Sequence, residues 1–308
     1  MIQAETRREN GARTRIEGLL EVDWELMRAN YNRRPFLFRH RLAEHPLMQL
    51  DSLVKLANRL PSEQVLHCKG RTSFAIDFDA ALKQGGHSLS VEGVLRDMEN
   101  MDAYVMIRHA EKDPPYGDLA REALDSVRPL VERLDPGVVF EAADIFIASP
   151  GAITPYHMDR EMNFLCQIRG TKEVNLWDQE DASILAEHQI DQLFGRPGLP
   201  KPGYKPEYAG KAMRFTLSNG VGIHQPLLAP HAVQNGSELS IAIAITYRSK
   251  ACHRRIMLHK ANYALRKLGL HPRPHGQSPL IDNLKITVYR VLVQARALVL
   301  RRRYRMFW

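Results

Sequence analysis

Two short stretches of this chain carry residue types whose spacing suits metal chemistry. The first, Ser149-Pro-Gly-Ala-Ile-Thr-Pro-Tyr-His-Met-Asp, ends on His157 and Asp159; the second, Pro226-Leu-Leu-Ala-Pro-His-Ala-Val-Gln-Asn-Gly, holds His231. On a β-strand, residues two apart project from one face, so His157 and Asp159 offer an imidazole and a carboxylate to one space while Met158 points away. Two histidines and a carboxylate on one face of an octahedral ion leave three adjacent positions open, which suits Fe(II) that must also hold a co-substrate and O2. His231 is the expected third ligand, because its segment leads into the apolar run Ile241–Ile245. His224 competes for that place, but beside Gln225-Pro226 at a strand end it reads as a pocket wall. With 13 histidines in the chain a lone His-x-acid triplet says little. His109-Ala-Glu111 has the same spacing, runs into the turn Lys112-Asp-Pro-Pro, and reads as a surface pair.

The elements that must position these groups change character along the chain. Residues from Val22 to Leu60 read as a helical lead-in interrupted at Arg34-Pro35 and ended by Pro61; Ala103–Ile107 reads as a strand, and Leu119–Leu134 as a helix closed by Asp135-Pro-Gly. Short strands with frequent turn signals follow, at Val138–Ile147, Ile153–Met158, Asn163–Ile168, Glu173–Leu176, Ala212–Thr216, Val221–His224 and Leu239–Tyr247, as in a sandwich or barrel. The Gly170-Thr171 turn is expected to close a hairpin, and Phe194–Tyr208, rich in Gly and Pro, to form a surface loop. Helical patterns return at Arg254–Leu268 and Asn283–Arg303. The fold class expected is mainly β with flanking helices, in three parts: a helical lead-in with mixed elements at 1–102, a β core at 103–250 and a basic helical extension at 251–308.

The run T-P-Y-H-M-D-x-x-x-N-x-L-x-Q-I-x-G-x-K, followed some 60 residues later by P-H-x-V-x-N-G, resembles the cupin-like, jumonji C-related Fe(II)/2-oxoglutarate oxygenases. The resemblance spans Val138–Tyr247 and implies a double-stranded β-helix, the cupin or jelly-roll core. It implies that His157, Asp159 and His231 bind iron and that Lys172 meets the far carboxylate of 2-oxoglutarate. Thr154 and Asn163 match positions that commonly assist. Arg248 is the alternative carboxylate partner, and Thr246 stands where some members carry an amide. Tyr156 and Trp177 read as core or pocket-lining aromatics. The chemistry is consistent with these types: 2-oxoglutarate chelates iron through its 1-carboxylate and 2-oxo groups, and its 5-carboxylate then needs a buried cation inside an apolar barrel. The activity implied is hydroxylation of a protein side chain or a small molecule, with Fe(II) as cofactor and 2-oxoglutarate and O2 as co-substrates. A non-catalytic cupin that binds a ligand to regulate a partner, and a metal enzyme that dispenses with 2-oxoglutarate, are the rival readings.

Composition bounds the remaining possibilities. At 308 residues and 44% hydrophobic content the chain can bury a sizeable core. Its charged first twenty residues do not read as a secretory signal, and the run Val291–Leu300, broken by Gln294 and Arg296, is too short to span a membrane, so a soluble cytoplasmic protein is expected. Cys68, Cys166 and Cys252 lie far apart and read as packing residues. The net charge of +8 is unevenly spread: residues 249–308 hold fourteen Lys and Arg against Asp282 alone, while the rest of the chain has 29 basic and 34 acidic residues. This basic extension, ending Arg301-Arg-Arg-Tyr-Arg-Met-Phe-Trp, is open to pairing with a second copy as a homodimer through the C-terminal helices, or to contact with an anionic membrane surface; no motif supports nucleic-acid binding. The primary substrate is not legible.

Overall fold

The computed structural model describes residues 18–83, 90–196 and 202–299. Its elements, in chain order, are β1 (Leu20–Glu21), α1 (Trp24–Asn30), β2 (Phe36–His40), α2 (Leu50–Arg59), β3 (Val65–Cys68), α3 (Phe78–Lys83), α4 (Val91–Arg96), β4 (Tyr104–Ile107) and α5 (Pro114–Leu134). Then come β5 (Val139–Ala148), β6 (Ile153–His157), β7 (Met162–Arg169), β8 (Lys172–Leu176), α6 (Glu187–Gly195), β9 (Met213–Leu217), β10 (Val221–Gln225), β11 (His231–Asn235), β12 (Ser240–Arg248), α7 (Lys250–Lys267) and α8 (Pro279–Val299).

The strands form two antiparallel sheets, one of eight strands in the order β1-β2-β10-β7-β12-β5-β4-β3 and one of four in the order β6-β11-β8-β9. From β5 to β12 the chain crosses between the sheets at every step except β8 to β9, which pair with each other in the smaller sheet; this is the winding of a double-stranded β-helix, and the expected fold class holds. Side-chain size decides what lies between the sheets. Strand β12 reads Ser-Ile-Ala-Ile-Ala-Ile-Thr; Ala242 and Ala244 join Leu165, Val174, Leu176, Ile223 and Val233 in the interior cluster, whereas Ile241, Ile243 and Ile245 face the other way and are also buried. Small residues on the inner face leave room for a cavity, while the outer isoleucines bury a continuous apolar row worth about 1.5–3 kcal/mol each.

Several elements differ from expectation. The lead-in is not wholly helical: β2 alternates buried Phe36, Phe38 and His40 with exposed Leu37 and Arg39, a period of two that only a strand can use, and it pairs with β10. Strands β1, β2 and β3 therefore carry residues before 103 into the larger sheet. Helix α5 begins at Pro114, because prolines in a first turn cost no helical hydrogen bond. Gly170-Thr171 closes no hairpin. It carries the chain from β7 in one sheet to β8 in the other, with Gly170 at φ +71° and the Leu239 carbonyl 2.5 Å from where a β-carbon would stand. The segment read as a loop from Phe194 contains the end of α6 and a 3-10 turn at Pro206–Lys211, and its residues 197–201 lie outside those described.

The chain divides into two compact units, residues 1–180 with 203–249, and residues 181–202 with 250–308. The first holds both sheets. In the second, α6 packs on α7, where Asp191, fully buried, accepts hydrogen bonds from Arg266 Nε (2.7 Å) and is 2.9 Å from His259 Nδ1. Among the described residues no helix is long and apolar enough to cross a membrane. The end of the basic extension, Arg301–Trp308, lies outside the described residues.

Candidate metal centre

His157 closes β6 and His231 opens β11, and the two stand opposite each other in the antiparallel pairing of those strands. Their rings lie 4.1 Å apart. Asp159 sits two residues beyond the end of β6, so its approach comes from the turn rather than from strand alternation. Its carboxylate oxygens reach 3.9 Å from His157 Nε2 and 3.7 Å from His231 Nε2, and one ligand atom from each of the three lies within 4.8 Å of the others. The opposite ring nitrogens face backbone carbonyls: His157 Nδ1 is 2.8 Å from the Pro155 carbonyl and His231 Nδ1 is 3.0 Å from that of Ala229. A carbonyl can only accept, so each Nδ1 carries a proton and each Nε2 is the ring nitrogen turned toward Asp159. Two imidazoles and a carboxylate are a donor set that fits a divalent ion.

The three groups open into a cavity of about 250 Å³. A register shift between β6 and β11 matters here: His231 pairs with His157 but Val233 pairs with Thr154, so β6 carries an extra residue. The bulge turns Thr154 and His157, three residues apart, toward the same space. Lys172, first residue of β8, lines the cavity at 5% exposure. Its ammonium has no hydrogen bond or ion pair among the described residues, and burial alone lowers it from 10.5 to about 7. A cation buried beside a polar cavity without a counter-charge is an orphan, and an entering carboxylate would satisfy it.

A model of the cupin-like domain matches residues 91–253, more than half the chain. The chain belongs to the cupin-like family. Comparison with curated proteins finds no match. Among solved structures this cupin-like chain is similar to YcfD of Escherichia coli at 14% identity and a TM-score of 0.49, over 90% of this chain and 69% of that one. It is also similar to YcfD, described as a ribosomal oxygenase, in complex with cobalt and 2-oxoglutarate (14%, 0.49, 90% and 68%) and with cobalt and succinic acid (13%, 0.47, 90% and 68%).

The cupin-like cavity gathers most of the residues singled out from sequence. Thr154, Asn163, Lys172 and Thr246 line it with the two histidines and Asp159. Thr154 Oγ1 donates to Tyr104 Oη at 3.2 Å, and Asn163 Nδ2 donates to Gln225 Oε1 at 2.7 Å, leaving Asn163 Oδ1 and Gln225 Nε2 buried without a partner. Thr246 gives its hydroxyl to the Ala142 carbonyl. Arg248 is elsewhere: it does not line the cavity, and Glu161 and Glu141 hold its guanidinium, the latter at 3.3 Å.

His224 is not a pocket wall. It points to the opposite side of β10 from Gln225, fully buried among the rings of Tyr31, Phe36, Phe164 and Tyr247, 3.0 Å from the Tyr247 hydroxyl. Burial pushes it down to about 3, so it stays neutral. Tyr156 and Trp177 pack with Tyr204 and Tyr208 away from the cavity. His109 lines the cavity mouth, but its neighbour Glu111 accepts from the Ala143 amide and ties the turn to β5, so that triplet is structural. Tyr104 and Gln225 are among the lining residues that escaped the sequence reading. Tyr104, whose phenol burial keeps protonated, lies on β4, more than fifty positions before the metal motif. Gln225 was masked by its neighbour His224, although strand parity puts it on the inner face with Ile223.

Proposed function

We propose that this cupin-like protein is an Fe(II)- and 2-oxoglutarate-dependent oxygenase that hydroxylates a protein side chain or a small molecule. One observation carries the reading: the cavity that receives the His157, Asp159 and His231 donors also receives the Lys172 ammonium, buried and with no counter-charge among the described residues. A metal site alone would not call for that cation. A dianionic co-substrate, chelating the ion at one end and ending in a carboxylate at the other, would engage both.

In this reading His157, Asp159 and His231 hold the iron. When bound, iron with 2-oxoglutarate and O2 supplies an oxidative decarboxylation to succinate and CO2, coupled to insertion of one oxygen atom into a substrate C–H bond. The chain's own residues bind and orient. The Pro155 and Ala229 carbonyls hold both Nδ1 atoms and so aim both Nε2 atoms at the ion. Lys172 neutralises the distal carboxylate, with the Thr154 and Tyr104 hydroxyls beside it, and the unpaired amide atoms of Asn163 and Gln225 offer one acceptor and one donor to a bound molecule. Leu165, Val233 and Ala244 supply apolar wall that limits water.

The deciding experiment is anaerobic titration of the purified protein with Fe(II) and 2-oxoglutarate. A visible metal-to-ligand charge-transfer band is expected, and Asp159→Ala should abolish it; a band unchanged in that variant would refute the ligand assignment. Succinate release on admitting O2 separates an oxygenase from a binding-only cupin, which would show the band and no turnover.

A further inference from the structure

Helix α8 turns one face inward and another to solvent. Asp282 and Ile286 are buried at 1% and 6% exposure, and α8 packs on α7 within their compact unit. The opposite face is apolar and open: Leu280 is 83% exposed, Leu284 63%, Val288 48%, Val291 57%, Leu292 62% and Leu298 80%. At 100° per residue these positions fall within about a third of the helix circumference, forming one stripe about 27 Å long. A continuous exposed apolar stripe of that length marks an interaction surface.

Charge decides what it meets. The stripe is flanked by Arg296 and by the uncharged Asn283, Thr287 and Gln294, all exposed, and the helix's single acid, Asp282, is on the far side and buried. Residues 249–308 together carry fourteen Lys and Arg against that one acid, four of them in the last eight residues beside Tyr304, Phe307 and Trp308. A second copy would lay this stripe, bordered by an arginine and no exposed acid and carried on a strongly basic segment, on an identical one with nothing to offset the charge. An anionic lipid surface offers acyl chains to the leucines, phosphates to the arginines and an interface at which tyrosine and tryptophan settle. Since α8 is not apolar enough to cross a membrane, it would lie in the interface plane.

We propose that α8 is an interfacial anchor that lays its Leu280–Leu298 stripe on an anionic lipid bilayer. The test is flotation of the full-length protein with vesicles of phosphatidylcholine alone or mixed with phosphatidylglycerol. Binding about tenfold stronger to the anionic vesicles, falling as salt rises, is expected. The combined exchange of Leu284→Gln, Val291→Gln and Leu298→Gln should remove it while the melting temperature stays the same, because all three side chains are exposed. Equal binding to both vesicles, binding to neither, or unchanged binding by the triple variant would overturn the proposal. Sedimentation equilibrium without lipid supplies a separate refutation: a stable dimer that the same substitutions dissociate assigns the stripe to a second copy.

Discussion

Burial is the one force acting on the Lys172 ammonium, and it brings the group down to about 7 from 10.5. Because the folded value is the lower one, the unfolded chain binds the extra proton across that interval, and stability of the ligand-free protein rises with pH through it. A bound carboxylate favours the charged form and reverses the shift. Binding of 2-oxoglutarate should therefore weaken by about tenfold per pH unit above 7, until the lysine of the complex itself titrates. A pH-independent dissociation constant between 7 and 9 would contradict this role. In Lys172→Met the carboxylate would be left unpaired, a loss of about 3–5 kcal/mol, or roughly two to four orders of magnitude in affinity, with iron binding nearly intact. Equal losses of iron and 2-oxoglutarate in that variant would assign the lysine another task. The Arg248 guanidinium, already held between Glu141 and Glu161, is a rim residue by contrast.

At the scale of elements, the site depends on places where regular strands stop or slip. Asp159 reaches the histidines from beyond the end of β6, and the β6–β11 bulge brings Thr154 round to the face of His157. Lys172 gains its position from the Gly170-Thr171 crossing between sheets. Gly170 holds a left-handed backbone conformation against the Leu239 carbonyl, so an added methyl is strained and crowded together. Gly170→Ala should cost about 1–3 kcal/mol and displace the start of β8. A lowered melting temperature with a weakened 2-oxoglutarate titration is the expected pair of results; a variant that melts like the parent would show that the crossing tolerates a side chain.

For the molecule as a whole, ligand binding and folding are linked, because His157, Asp159 and His231 converge only when β6 and β11 are paired. Fe(II) and 2-oxoglutarate, each at a hundredfold excess over its dissociation constant, should each stabilise the protein by about 2.7 kcal/mol. Anaerobic thermal melts would show a rise of several degrees in the parent protein and none in Asp159→Ala. A rise of the same size in both would mean that the ligands bind elsewhere.

Much of this was legible from residues near one another in the chain. Seven strands of the β-core rest on local alternation, and the grouping of His157, Asp159 and His231 on two short motifs, although Asp159 reaches the histidines from a turn and not by the alternation its spacing suggested. Those signals are set by backbone geometry and need no partner to be read. Tertiary structure alone decided the rest. The alternation of β2 was not legible, because Phe36-Leu37-Phe38 is an unbroken apolar run, and only pairing with β10, nearly two hundred residues away, buries Phe36 and Phe38 and leaves Leu37 exposed. His224 and Gln225 are adjacent and both polar, and only the packing of β10 sends one among aromatic rings and the other into the cavity. Tyr104 reaches Thr154 across fifty residues of chain, and the exposed stripe of α8 exists because α7 covers just one of its faces. Spacing determines which side chains share a face, whereas burial and charge depend on what the fold later lays against that face.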